Sequence, residues 1–207
     1  MTPFLVGIAG PSGSGKSELA RRLTALLPGA TALLSLDSYY RPLDHLPAAD
    51  RAACNFDHPD SLDWPLLLAH LDSLRDGNPV FEPVYRFDLH TRAPETRFLQ
   101  PGHFLVLEGI LALHHPEVVS KLDLKIYVET PDEECLERRL RRDVVERGRT
   151  VDSVLRQYDD TVRPMAEQFV WPSRHLADLV VSGMQPLERS VGDVTGRLPI
   201  LSRAASR

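Results

Sequence analysis

The run Gly10-Pro11-Ser12-Gly13-Ser14-Gly15-Lys16-Ser17 matches G-x-x-x-x-G-K-[ST]. Its chemistry is the capture of a polyphosphate. Glycines let the backbone turn tightly, so that successive N–H groups converge on one point. Lys16 is placed to reach the β- and γ-phosphates, and the Ser17 hydroxyl to hold Mg²⁺. Two carboxylates stand out for a different reason. Asp37 follows the apolar run Thr31–Leu36, and Glu108 follows Phe104–Leu107. Each therefore sits at the end of an expected strand. Asp37 there can accept a hydroxyl proton, and Glu108 can position hydrated Mg²⁺. The plainer alternatives are a turn cap for Asp37 and a carboxylate satisfied by backbone N–H groups for Glu108. A third group is basic: Arg138, Arg139, Arg141, Arg142, Arg147 and Arg149 crowd one short segment. It is either a solvated helix face or a cover for a transferring phosphoryl group.

These residues need a scaffold that brings strand ends together. Phe4–Ala9, Thr31–Leu36, Phe104–Leu107, Leu124–Val128 and Leu179–Ser182 read as five strands. Helical spacing covers Glu18–Leu27, Ser61–Leu74, Asp132–Glu146 and Val151–Phe169, with a kink or a new start expected at Pro164. Strands alternating with helices imply an α/β fold with a parallel sheet covered on both faces. Ligands of such sheets bind beyond the carboxyl ends of the strands. Two regions break the alternation. Tyr40–Asp60 reads as a loop with one helical turn. Gly77–Pro101 carries the short extended pieces Val80-Phe81 and Val84-Tyr85 and reads as a β-hairpin flap. Residues 138–150 read as an arginine-rich lid on the same single domain, 1–207.

Bulk properties narrow the class. A chain of 207 residues with 43% hydrophobic content fits one domain with a real core. A net charge of −5 argues against general nucleic-acid binding. No apolar run has the length of a membrane span, and no signal peptide is expected. Cys54 and Cys135 lack metal-ligand spacing and suit a reducing, cytoplasmic setting. The tail from Ser202 is small and polar, and is expected to fray. The guanine-binding Asn-Lys-x-Asp run and the transport-ATPase Leu-Ser-Gly-Gly run are both absent. Lone carboxylates at strand ends beside a basic helix point instead to a small-molecule kinase.

Longer runs carry a resemblance. Ser35-Leu36-Asp37-Ser38-Tyr39-Tyr40, Asn55-Phe56-Asp57-His58-Pro59-Asp60 and Pro83-Val84-Tyr85 with Phe87, His90 and Arg92 resemble the uridine kinase (uridine–cytidine kinase) family. So do Glu108-Gly109-Ile110-Leu111, Arg138–Asp143, Glu146-Arg147-Gly148-Arg149, Gln157-Tyr158 and Ala177-Asp178. The likeness covers residues 4–182 in order. It implies the fold of P-loop NTP hydrolases, with ATP or GTP as donor, uridine and cytidine as acceptors, Mg²⁺ as cofactor and a homotetramer as assembly. It implies that Asp37 is the general base on the 5′-hydroxyl, and that Ser17, Asp37 and Glu108 form the metal site. Asp57, helped by Arg139, would bind the ribose. Tyr85 and His90 would meet the pyrimidine edge between Phe56 and Phe87. Arg142 and Arg147 would reach the donor phosphates, Arg149 and Gln157 would lie near the nucleoside, and Tyr40 near the acceptor. The loop Ser182–Pro186 would flank the donor base. One position departs from the pattern: Arg86 stands where the family carries Asp. The rival readings are another kinase of the superfamily, such as a phosphoribulokinase, and a nucleotide-sensing protein without turnover.

Overall fold

The computed structural model describes residues 2–198. The expected fraying from Ser202 lies outside the described residues. In chain order the elements are β1 (Phe4–Ala9), α1 (Lys16–Leu26), β2 (Thr31–Ser35), α2 (Ala48–Ala52), α3 (Trp64–Arg75), β3 (Val80–Arg86), β4 (Thr91–Leu99), β5 (Phe104–Glu108), α4 (Pro116–Lys121), β6 (Leu124–Glu129), α5 (Asp132–Val145), α6 (Val151–Gln157), α7 (Arg163–Met165), β7 (Leu179–Ser182) and α8 (Leu187–Thr195). Strands β2, β5, β1, β6 and β7 form one sheet in that order, every pair parallel. The five strands read from the sequence are these five.

Burial explains why the strands are near-continuous apolar runs. Side chains alternate between two cores, one on each face of the sheet. Leu5, Leu105, Leu107 and Tyr127 face one core, which α3 completes with Leu67, Leu71 and Leu74. Val6, Ile8, Val106 and Ile126 face the other, which α1 and α8 close with Leu19, Leu23, Val191 and Val194. Parallel order leaves all carboxyl ends on one edge. The phosphate loop therefore leaves β1 beside Glu108 on β5 and Asp37 just after β2. Asp37 lies in a 3₁₀ turn, Leu36–Tyr39, which holds it at the strand end.

The hairpin expected within Gly77–Pro101 is present as β3 and β4, but its details differ from the reading. The extended pieces around Pro83 are one strand, β3, that continues through the proline with a register shift between Pro83 and Tyr85. Proline removes a ladder donor, and an irregularity in a two-stranded ribbon absorbs that loss. Its partner β4, with Arg92, Glu95 and Arg97, is too polar to read as a strand by hydrophobic alternation. The new start expected at Pro164 is present. Helix α7 starts one residue earlier, so Pro164 occupies a first turn, where the missing N–H costs little. Wider π-type turns flank it at Tyr158–Val162 and Ala166–Val170. Helices α4 and α8 were not anticipated.

Candidate active site

A cavity of about 930 Å³ opens at the carboxyl edge of the sheet. Its lining includes Ser12, Lys16, Ser17, Asp37, Tyr40, Phe56, Asp57, Tyr85, Phe87, His90, Arg139, Arg142, Arg147, Arg149 and Gln157. These residues come from the phosphate loop, the segment 37–57, the β3–β4 hairpin and the α5–α6 region. Sequence positions 12 to 157 thus meet in one space. Gly10, Pro11, Gly13, Ser14, Gly15 and Glu108 lie outside that lining and shape it from behind.

The phosphate loop is built by its glycines. Gly13 has φ +87°, and a Cβ there would run into the backbone carbonyl of Cys135 on α5. Gly15 has φ +95° and caps α1 without any side-chain hydrogen bond. The first N–H groups of α1 are thereby left free, at the positive end of an 11-residue helix. This is the arrangement that binds phosphate oxygens. Lys16 is nearly buried, its Nζ 3.5 Å from the carbonyl of Pro11. That contact is long, so the ammonium keeps donors for a ligand.

Glu108 is buried and held by two hydroxyls. Ser17 Oγ donates to Oε2 at 2.9 Å and Ser35 Oγ to Oε1 at 3.0 Å. Hydroxyls, not backbone N–H groups, satisfy this carboxylate. Asp37 is half-buried, and no hydrogen bond engages its carboxylate among the described residues. Burial and the neighbouring Glu108 push its pKa above the ordinary aspartate value, against the pull of Lys16, Arg147 and Arg142. Ser17, Glu108 and Asp37 offer hard oxygen donors around one corner. Mg²⁺ takes one or two such protein ligands and completes its shell with phosphate oxygens and water, so the residues fit that ion.

The opposite end is aromatic. Tyr40 lies 5.4 Å from Phe56 and 5.1 Å from Tyr85 between ring centroids, and Phe87 lies 5.3 Å from Tyr85. His90 stacks on Phe56 at 5.5 Å with an interplanar angle of 18°. It does so from φ +50°, a backbone conformation that few non-glycine residues adopt. Burial and Arg149 push its pKa down, which keeps the imidazole neutral near pH 7. The Tyr85 hydroxyl is buried without a hydrogen-bond partner among the described residues. Asp57 is also buried, and burial raises its pKa although Arg139, Lys16 and Arg142 pull it down.

The arginines form the third wall. Arg139 donates to Ser12 Oγ at 3.0 Å and to Gln157 Oε1 at 2.9 Å. Arg149 donates to Gln157 Oε1 at 2.6 Å and to Ser153 Oγ at 3.0 Å. The Arg147 guanidinium lies over the Phe87 ring, 4.7 Å from its centroid, and so touches the hairpin.

Comparison with known proteins follows from this geometry. Residues 5–188 match the model of the Phosphoribulokinase / Uridine kinase family. The chain belongs to this family. A uridine kinase of Clostridium botulinum (strain Langeland) is 45% identical over 180 residues, covering 86% of this chain and 87% of the relative. A uridine kinase of Halobacterium salinarum is 43% identical over 178 residues, covering 86% and 79%. Among solved structures, phosphoribulokinase from Rhodobacter spheroides shares the fold, with a TM-score of 0.60 at 17% identity over 90% of this chain and 74% of that one.

As a kinase of this family, the chain holds two further ion-paired arrangements, the first open to sequence reading and the second missed by it. Arg86 and Asp88 also line the cavity and pair with each other, Nη2 to Oδ2 at 2.7 Å and Nε to Oδ1 at 2.9 Å, with at least half of each side chain in solvent. The adjacency of Arg86 and Asp88 was the available signal. Asp143, wholly buried, faces Arg139, Arg142, Arg147 and Arg149 at 2.9–3.7 Å. A lone acid within a basic run was its only mark.

Proposed function

We propose that this chain transfers the γ-phosphoryl group of ATP or GTP to the 5′-hydroxyl of uridine and cytidine. One observation carries the reading. A free, half-buried Asp37 stands between a phosphate loop and an aromatic pocket that also contains Asp57. Two curated relatives with 43–45% identity bear the name uridine kinase, which supports the same acceptor class.

The residues divide the work as follows. The loop Gly10–Ser17 and the free N–H groups of α1 cradle the donor phosphates, with Lys16 on the β- and γ-oxygens. Ser17, Glu108 and Asp37 would hold Mg²⁺, which when bound neutralises charge on the phosphoryl oxygens. Asp57 accepts from the ribose cis-diol, and Arg139 keeps it ionised. Phe56, Tyr40 and Phe87 wall the flat base, while His90 and Tyr85 meet its edge. Neutral imidazole has one donor and one acceptor nitrogen, so His90 serves uracil and cytosine alike. Asp37 orients the 5′-hydroxyl and takes its proton as the oxygen attacks phosphorus. Arg142 and Arg147 stabilise the charge on the transferring group. The β3–β4 flap and the α5–α6 lid, already joined by Arg147 on Phe87, close over the reactants and exclude water.

A phosphorylated sugar has no flat base to fill the aromatic wall of Tyr40, Phe56, Tyr85 and Phe87. Among the described residues no helix is long and apolar enough to cross a membrane, and a cytoplasmic homotetramer is the setting this reading carries. ADP release measured across uridine, cytidine, purine nucleosides, ribulose 5-phosphate and pantothenate tests it. Turnover of either pyrimidine nucleoside supports the assignment. Turnover only of another acceptor replaces it.

A further inference from the structure

Asp143 has no place in the reaction described above, yet it is among the most buried charges of the chain, with no exposed side-chain surface. Its two oxygens are not used alike. Oδ1 takes Arg142 at 2.9 Å and Arg147 at 3.4 Å. Oδ2 takes Arg149 at 3.3 Å and Arg139 at 3.7 Å. The Oδ2 pair is tied again through Gln157, and Arg139 reaches Ser12 of the phosphate loop. Arg142 and Arg147 are one-third exposed, at 33% and 34%, with Arg149 at 28% and Arg139 at 8%. Arg142 has Asp143 as its sole anionic partner among the described residues. Four guanidiniums against one carboxylate leave a positive wall that would splay apart without a central anion.

We propose that Asp143 is the positioning residue of the arginine wall: Oδ1 aims Arg142 and Arg147 at the transferring phosphoryl group, while Oδ2 fixes Arg139 and Arg149 on the acceptor side. This rests on the kinase reading above. The arginines also hold the Asp143 carboxyl below the usual carboxylate range, against a burial that alone would raise it, so it stays ionised through the working pH range. The division has a physical sense. A carboxylate behind the wall lowers the free energy of crowding four cations, and it leaves the cavity-side N–H groups of Arg142 and Arg147 free for phosphate.

The test is Asp143→Asn, which preserves shape and removes the charge. kcat should fall roughly 10- to 100-fold, the equivalent of losing one or two charge-assisted hydrogen bonds. KM for the donor nucleotide should stay level or drop, because the wall becomes more positive. Asp143→Asn combined with Arg142→Ala should cost clearly less than the product of the two single losses, since Asp143 acts in part through the Arg142 guanidinium. Unchanged kcat in folded Asp143→Asn protein, or fully multiplicative losses in the double variant, would overturn the proposal. If Asp143→Asn does not fold, the cycle of Arg142→Ala and Arg149→Ala in the wild-type Asp143 background decides. These arginines bind opposite oxygens, so coupling in kcat supports communication through Asp143 and additivity overturns it. All rates are taken with whichever acceptor is turned over. A failed nucleoside assignment would therefore show in the wild-type panel and leave this test intact.

Discussion

The two ends of the cavity are built from different materials. At the phosphate-loop end, backbone and short side chains do the holding. Glycines in the left-handed region, free N–H groups of α1 and the Ser17–Glu108–Ser35 hydrogen bonds are fixed by the strands themselves. At the hairpin end, long or aromatic side chains meet from separate elements: Tyr40, Phe56, Tyr85, Phe87 and the arginines. The first end is finished before any ligand arrives. The second is held by ring contacts and ion pairs between segments that are not strand neighbours, such as Arg147 on Phe87. Asp37 stands at the boundary, fixed by the first end and facing the second. The difference teaches that the phosphate end is set by local strand-edge structure, whereas the hairpin end depends on contacts between separate elements.

Six substitutions separate the two ends. Asp37→Asn should have the largest effect, a fall in kcat of roughly 10²–10⁴. Burial and Glu108 raise the pKa of Asp37, so its ionised form is disfavoured by folding. That unfavourable contribution is present at neutral pH and is relieved as pH falls toward the ordinary aspartate value. Asp37→Asn should therefore raise Tm at pH 7 while removing activity. In the wild type, the acid limb of kcat/KM should lie above the ordinary aspartate value. A variant with normal kcat and lower Tm would make Asp37 a structural group.

Arg142→Ala and Arg147→Ala come next, each with kcat down about 10²-fold. Thermal melting should move little, because the buried Asp143 carboxylate keeps three other arginine partners when one is removed. Loss of Tm with unchanged kinetics would assign the wall to folding alone.

On the base-reading side, Tyr85→Phe and His90→Phe should each lower kcat/KM for uridine and cytidine about tenfold, as one lost hydrogen bond implies. Tyr85→Phe should also raise Tm, since its hydroxyl is buried without a partner among the described residues. Unchanged kcat/KM for both variants would remove the pocket from base recognition. The smallest effect belongs to Arg86→Asp. Its ion pair with Asp88 is exposed, so neither Tm nor the uridine-to-cytidine ratio should move measurably. A changed ratio would mean that Arg86 leaves Asp88 and turns toward the base.

The sequence was most legible where local chemistry and strand ends coincide. The phosphate loop, Asp37 and Glu108 follow from a complete motif and from apolar runs that stop at an acid. The parallel sheet follows from the alternation of apolar runs with helical spacing. Strand β4 did not, because a two-stranded ribbon with solvent on one face tolerates Arg92, Glu95 and Arg97. The hydroxyl cradle of Glu108 was not legible, since Ser35 and Ser17 meet it only through strand order. Asp143 was the deepest omission. Its role depends on four arginines converging from α5 and from the turn beyond it, and no spacing rule states that convergence. Resemblance added Asp57, Tyr85, His90 and Gln157, which residue chemistry alone left as loop and core candidates.

The account's central claim is that both ends serve one transfer, across Asp37. The direct measurement is product identification by NMR and mass spectrometry, after wild-type protein is incubated with uridine, ATP and Mg²⁺. The account predicts uridine 5′-monophosphate and ADP in equal amounts, with almost none formed by Asp37→Asn. ADP released without nucleotide product, phosphate at the 2′- or 3′-hydroxyl, or undiminished product from Asp37→Asn would contradict it.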